Sequence, residues 1–116
     1  RRKKFQVKGA KFKNNLMVED AEFFDCTLEG ELKNCLIESS ILRNSKLVDC
    51  IVHSNNLIKF SKLFECEYLG GANEISSSFL ENSEDRPIFA DLRECLIYRG
   101  KLSLLATIDS STKIIE

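Results

Sequence analysis

The amino-acid sequence predicts an all-β solenoid, in which a chain of short strands turns a corner about every fifth residue. Large apolar residues recur from Phe23 to Tyr68 with steps of 5, 4, 5, 5, 5, 5, 5, 6 and 5. The residue two positions before each of them is small, and all five cysteines stand two positions before such a residue, at 26, 35, 50, 66 and 95. A period of five fits neither the 3.6 of a helix face nor the 2 of a half-buried strand, so the chain has to coil.

Each repeat is predicted to place two side chains inside the coil. The small and the large residue lie two positions apart, as Cys26 and Leu28 do, and an extended backbone directs both to one face. The intervening residues, such as Thr27, Lys33 and Glu38, are mostly polar and are expected outside. Stacked coils then bury a continuous column of apolar side chains that no single repeat can bury alone.

These repeats resemble those of the pentapeptide-repeat proteins, which read small residue, Asp or Asn, Leu or Phe, and two polar residues. The segments that carry the resemblance are Cys26-Thr27-Leu28, Ser45-Lys46-Leu47 and Ala90-Asp91-Leu92. The resemblance implies a right-handed parallel β-helix with square coils of four repeats, so residues about 20 positions apart would stack. About four short coils with one loop excursion are then expected, with columns such as Leu28, Leu47 and Tyr68.

The chain divides into four predicted segments. Residues 1–13 form a basic N-terminal arm, and residues 14–69 form the pentapeptide-like β-helix. Residues 70–88 contain two glycines, a serine run, an acidic stretch and the only proline, which predict a loop insertion at a corner. The five-residue period returns over 89–116, where the chain rejoins the solenoid and ends in a C-terminal cap.

The basic arm is the first candidate for partner binding. Residues 1–18 hold seven basic side chains and no acid, so the arm could contact nucleic-acid phosphates or an acidic partner. An equally good interpretation is a flexible, solubilising start whose Phe5, Val7 and Phe12 join an irregular first coil. The arm residues predicted to bind are Arg1, Arg2, Lys3 and Lys4.

The C-terminal end of the chain is the second candidate for partner binding. Leu104, Leu105 and Ile108 follow the last clear repeat. An uncapped solenoid exposes apolar core and unpaired strand edges, so these residues either cover the open end or meet a partner chain there.

The five cysteines predict neither a metal site nor disulfides. They lie 9, 15, 16 and 29 residues apart with one histidine, His53, in the chain, whereas metal sites need clustered ligands. Their number is odd, and on a square register Cys26 and Cys66 would share a column two coils apart, with Ser45 between them. Buried free cysteine behaves as a small hydrophobic residue, so five thiols indicate a reducing intracellular compartment.

No catalytic constellation is evident, and we expect neither enzymatic activity nor a cofactor. Nucleophilic catalysis needs a nucleophile beside a base that a third group orients, and His53 has no visible partner. The pairs Glu29 with Glu31 and Glu65 with Glu67 are typical of solvated strand surface. A thiol enzyme would need an exposed cysteine, which the repeat does not provide. No run of 18 apolar residues exists, so no membrane-spanning helix is expected.

The sequence therefore predicts a non-catalytic structural or protein-interaction module within a larger assembly. The ending Ile114-Ile115-Glu116 resembles the Ile-x-Glu site at which head-maturation proteases of large tailed bacteriophages cut, which implies a processed component of a virion head or neck. The alternative is a DNA mimic that inhibits a type II topoisomerase, as some pentapeptide-repeat proteins do. That alternative depends on one cluster of acids, Glu19, Asp20, Glu22, Asp25, Glu29 and Glu31.

Overall fold

The computed structural model describes residues 4–115, which form a parallel β-solenoid built from three sheets. Sheet A contains β1 (Phe5–Lys8), β3 (Ala21–Phe24), β6 (Leu36–Glu38), β9 (Ile51–Val52) and β12 (Glu67–Tyr68). Sheet B contains β4 (Thr27–Leu28), β7 (Ile41–Arg43), β10 (Leu57–Lys59), β13 (Glu74–Ser76), β15 (Asp91–Arg93) and β17 (Thr107–Ile108). Sheet C contains β2 (Leu16–Glu19), β5 (Gly30–Lys33), β8 (Lys46–Val48), β11 (Lys62–Phe64), β14 (Phe79–Glu81), β16 (Leu96–Tyr98) and β18 (Lys113–Ile115).

The prediction of an all-β parallel solenoid is confirmed. Every strand pairing is parallel, and the inward columns of the three sheets form one buried core. Within the described residues there is no helix of the length and apolarity needed to cross a membrane.

The coils have three sides, because each coil passes once through sheets A, B and C. Leu32 pairs with Leu47 and Leu80 pairs with Ile97, so stacked residues lie 15 and 17 positions apart. The square coil, with partners about 20 positions apart, was therefore a wrong prediction. A three-sided coil uses fewer residues, so the chain makes seven coils, one for each strand of sheet C, rather than about four.

Most corners are made by a single residue in the left-handed conformation. Asp20, Asp25, Asn34, Asn44 and Asp49 have φ between 51° and 57°. Asn and Asp adopt this conformation more readily than other non-glycine residues. Each of the five directly precedes a small corner residue, so the sequence signal for a corner is Asn or Asp one position before the small residue.

The small residues at the corners link adjacent coils through hydrogen bonds. The Ser45 hydroxyl donates to the Arg43 carbonyl at 2.9 Å and accepts the Gly30 N–H at 3.2 Å. One coil later, the Ser61 hydroxyl donates to the Lys59 carbonyl at 2.8 Å and accepts the Ser45 N–H at 3.2 Å. Each hydroxyl thereby satisfies a backbone N–H of the preceding coil, which is why this position is polar as well as small.

At the corner between sheets A and B, stacked asparagine side chains link adjacent coils by similar hydrogen bonds. The Asn56 side chain accepts the Ser40 N–H at 2.9 Å, and the Asn73 side chain accepts the Asn56 N–H at 3.0 Å. Asn56 and Ile58 are therefore the inward pair of this repeat. The predicted marker Leu57 is only partly buried, one position out of register.

Residues 70–88 hold two strands of the solenoid, whereas the sequence indicated a loop insertion. β13 and β14 lie in this segment, and Ile75 and Leu80 are fully buried. Ile75 and Leu80 are five positions apart and so continue the repeat. The glycines and serines around them are typical of loops, which led to the wrong prediction. Only residues 83–87 leave the coil, after which Ile88 returns to the core.

Tyr68 is a buried tyrosine of the core. Its side chain is 7% exposed, and no hydrogen-bond partner for its hydroxyl exists within the described residues. Burial, and then the nearby thiols, raise the pKa of this phenol well above its usual range. Because leaving a buried polar group unpaired costs free energy, we expect Tyr68→Phe to raise the free energy of unfolding by about 1 kcal/mol.

Urea denaturation followed by circular dichroism would measure this gain. Tyr98→Phe is the matched control, since the Tyr98 ring lies at the surface. A loss of stability in Tyr68→Phe would contradict the prediction by showing that the hydroxyl makes a favourable interaction inside the core.

Candidate interaction surfaces

The basic arm is described from Lys4 onward; Arg1, Arg2 and Lys3 lie outside the described residues. The Lys4 ammonium donates to the Asn34 carbonyl at 3.0 Å. β1 starts at the next residue and pairs with β3, so the arm joins the first coil from that point. Val7 and Phe12 pack against the core, as the second interpretation predicted, whereas Phe5 is 72% exposed. Contact of the arm with nucleic acid stays a prediction.

Leu104, Leu105 and Ile108 all lie in the last described coil, where the two leucines occupy a turn that projects from it. Leu104 is fully exposed and Leu105 is 74% exposed, so neither covers the core. Ile108 continues the inward column above Leu92 yet is 46% exposed. A cap made by the two leucines was therefore a wrong prediction, and these residues remain available to a partner.

Asp109 organises the turn that follows. Its carboxylate accepts the Ser111 hydroxyl at 2.7 Å, the Thr112 N–H at 3.0 Å and the Glu94 N–H at 3.1 Å. Hydrogen bonds from Ser111 and then Thr112 lower the pKa of this carboxyl to about 2. Because the folded-state pKa is depressed, the contribution of Asp109 to this turn is present above its ordinary pKa and is lost only as the pH falls towards 2.

Sheet C carries an apolar surface that the sequence patterns did not predict. We call the outward residues Phe64, Phe79, Leu96, Tyr98 and Ile115 the aromatic face. The ring centroids of Phe64 and Phe79 lie 5.9 Å apart, and those of Phe79 and Tyr98 lie 6.3 Å apart with an interplanar angle of 20°. Strand register places Leu96 beside Phe79 and Ile115 beside Tyr98. The aromatic face is therefore contiguous over four successive coils.

A cation stands at each end of this row of rings. The Lys46 ammonium lies 5.7 Å from the centroid of the Phe64 ring, and the Arg99 guanidinium lies 5.4 Å from that of Tyr98. Each contact places a positive charge over the negative face of a ring, which is the geometry of a cation–π interaction.

Two further lysines and one acid complete the surroundings of the aromatic face. Lys62 is the strand neighbour of Phe79, Lys113 that of Leu96, and Glu81 that of Phe64. Lys46, Lys62, Lys113 and Arg99 are all exposed, and the ion pairs found within residues 4–115 include none of them. The face is consequently electropositive at its edges.

The cysteines are stacked differently from the predicted register. Cys35, Cys50 and Cys66 directly precede paired strands of sheet A, so they occupy consecutive coils of one column. Cys26 stacks instead with Ser40, whose hydroxyl accepts its N–H at 3.1 Å. The predicted column of Cys26, Ser45 and Cys66 is wrong because the coil has three sides. All five thiols are free and buried, as the repeat predicted.

The pKa of three of the buried thiols, Cys35, Cys50 and Cys95, is raised. Hydrogen bonding with Cys50, and then burial, raise the pKa of Cys35. The same hydrogen bond lowers the pKa of Cys50, but the contact with Cys66 and burial outweigh it and raise the value to about 12. Burial is also the main cause that raises the pKa of Cys95.

We therefore expect iodoacetamide at pH 8 to alkylate the native thiols at least about a hundredfold more slowly than the urea-denatured ones, because reaction requires both opening and deprotonation. Intact-protein mass spectrometry would follow the labelling. Ser110→Cys, at an exposed position, is the positive control and should react at once. Fast labelling of a native cysteine would contradict the prediction and reopen the possibility of a thiol enzyme.

His53 has a single acidic neighbour. Its Nδ1 lies 3.3 Å from a carboxylate oxygen of Glu38 and 3.1 Å from the Ser54 hydroxyl. Across residues 4–115, no group of three or more His, Cys, Asp or Glu side chains is placed to hold a metal ion.

Comparison with known proteins adds little to this description. No family model and no curated protein matches the chain. Two trypsin-treated variants of QnrB1, a plasmid-mediated fluoroquinolone resistance protein, are similar in structure. One shows 16% identity and a TM-score of 0.39, covering 96% of this chain and 72% of that chain. The other shows 12% identity and a TM-score of 0.34, covering 98% and 92%. The fold is established here by its own strand pairing, and at these scores the likeness carries no argument about function.

Proposed function

We propose that this chain is a non-catalytic protein-interaction module and that it binds its partner through the aromatic face. The observation that supports the proposal is the row of three contacting rings, Phe64, Phe79 and Tyr98, on the outside of sheet C. Exposed apolar patches with a polar rim are typical of protein-interaction sites, and aromatic residues usually supply most of the binding energy there.

The outer surface of sheet A is a weaker candidate. Its adjacent apolar residues Leu36 and Ile51 lie in register between Glu22 and Glu67, so the apolar patch in that row is only two residues long. That row holds no aromatic side chain, and aromatic residues usually supply most of the binding energy of an interface, which favours the aromatic face.

The double substitution Phe79→Ser with Tyr98→Ser tests the proposal. We expect it to lower capture of the partner from a lysate of the producing cells by at least about tenfold, because truncating aromatic anchors removes most of an interface's energy. Mass spectrometry of the captured proteins is the measurement, and circular dichroism checks that the solenoid is intact.

Leu104→Ser with Leu105→Ser is the matched control, because it removes two exposed apolar side chains at the C-terminal end. The control should retain the partner. Loss of the partner in the control alone would move the interface to the predicted residues of the last coil. Retention by both variants would contradict the proposal as well.

Assembly into a virion head or neck stays a prediction, since the Ile-x-Glu motif includes Glu116, which lies outside the described residues. A mass spectrum that shows a longer precursor cut after Glu116 would support it. A reducing intracellular compartment also stays a prediction, and fractionation of the producing cells would test it.

The DNA-mimic alternative likewise stays a prediction. The acids on which it depends are divided among sheets and corners: Glu19 and Glu31 are on sheet C, Glu22 is on sheet A, and Asp20 and Asp25 are corner residues. They encircle the first coils and do not form a row along the solenoid. A DNA gyrase supercoiling assay distinguishes the two functions, because only the mimic would inhibit at micromolar protein.

A further inference from the structure

We infer that the partner presents an acidic segment to the aromatic face, with carboxylates on both sides of an apolar centre. The inference rests on the proposed function and assigns the chemistry of what is bound. It follows from the placement of four cations, from the orientation of the rings and from the length of the face.

Two of the four cations face each other across neighbouring strands of sheet C. Lys46 and Lys62 are directly opposite each other on β8 and β11. Like charges at opposed positions of a β-ladder destabilise the pairing. Glu31 of β5 is opposite Lys46 on its other side, but neither lysine is in an ion pair with Glu31 or with another carboxylate of residues 4–115. A bound carboxylate between the two ammonium groups would relieve this repulsion.

Arg99 gives independent support at the other end of the face. It is a corner residue with φ 57°, a left-handed conformation that it shares with Phe60, Glu65 and Glu94 among the larger side chains. The guanidinium lies over the Tyr98 ring, and Tyr98 is in register with the exposed Ile115. A guanidinium binds carboxylates through paired hydrogen bonds.

The distance between the two cationic ends sets the length of the segment. Lys46 is on β8 and Lys113 on β18, which are four strand spacings apart in sheet C. At about 4.8 Å per spacing, the ends are about 19 Å apart, which an extended segment of about six residues spans. The centre of such a segment would lie over Phe79 and Leu96.

A single-stranded nucleic acid fits the face less well. Binding of bases requires free ring faces, but Lys46 occupies one face of Phe64 and Arg99 one face of Tyr98. Phe79 is in contact with a ring on each side. The ring faces on which bases would stack are therefore partly occupied at all three rings.

The probe is a fluorescein-labelled peptide, Asp-Glu-Leu-Phe-Ser-Leu-Asp-Glu, titrated with the whole protein and followed by anisotropy. We expect micromolar binding that weakens as salt is raised. The same peptide with Asn and Gln in place of Asp and Glu should bind at least about tenfold more weakly, because charge-assisted contacts are lost. A labelled oligothymidine of similar length should not compete with the acidic peptide.

Charge reversal locates the site. Lys46→Glu with Lys113→Glu should weaken peptide binding at least about tenfold, whereas Lys13→Glu with Lys59→Glu, which changes the net charge equally elsewhere, should leave it within about twofold. Equal binding of the acidic and the amide peptides, or competition by oligothymidine, would overturn the inference. If neither peptide binds while the partner is still captured through Phe79 and Tyr98, the inference fails and the proposed function stands.

Discussion

Replacing Leu47 by alanine is expected to lower the free energy of unfolding by about 3 kcal/mol. Leu47 is fully buried in the third of the seven coils, with Leu32 and Leu63 as its partners on either side. Those neighbours are held in register by parallel backbone ladders, so they cannot collapse into the space that the lost methyl groups leave. The cost therefore includes a cavity as well as the lost burial.

Ile114→Ala is the matched control, because Ile114 continues the same inward column in the last described coil. It is 45% exposed and has one strand neighbour, Ile97, so its truncation should cost less than about 1 kcal/mol. In a solenoid each coil contacts only its neighbours, and a central defect disturbs two interfaces where a terminal one disturbs one. Urea titrations of both variants would measure the difference, and equal losses would contradict this account.

The repeat length and most inward positions could be predicted from the sequence, with Leu57, Ile75 and Leu80 as exceptions, but the number of sides could not. A five-residue period with a small and a large residue two positions apart fixes the length of one side and which side chains it buries. The angle at each corner depends on the left-handed residue before the small one, for example Asn34 before Cys35. The square coil came from the family resemblance, and strand register shows three sides instead.

The aromatic face could not be predicted without knowing the number of sides of the coil. Phe64 and Phe79 are 15 positions apart, and Phe79 and Tyr98 are 19 apart, so the three rings meet only when the coil has three sides and residues 70–88 belong to it. One signal was present in the sequence. An aromatic residue directly after an inward marker, as Phe64 is after Leu63, occupies an outward position that is usually polar in this chain.

Gly30→Ala is expected to destabilise the first coil by about 3 kcal/mol, through backbone strain and a steric clash together. Gly30 has φ 152°, and a Cβ at this position would clash with the Leu16 carbonyl oxygen and lie 2.6 Å from the Leu16 nitrogen. These are backbone atoms of β2, which pairs with β5 at this residue, so the clash cannot be relieved by a side-chain rotation. β2 would have to move away from sheet C.

Hydrogen exchange would show which strands are destabilised by Gly30→Ala. In Gly30→Ala we expect the amides of β1 and β2 to exchange faster, while those of β8 and β11 keep their protection, because a solenoid transmits a defect only through neighbouring coils. Gly71→Ala is the control, since a Cβ there meets nothing within 4 Å. It should change stability by less than about 0.5 kcal/mol. Unchanged exchange in β2 of Gly30→Ala would contradict the close approach of the two strands, and uniformly faster exchange would show that the coils unfold as a single unit.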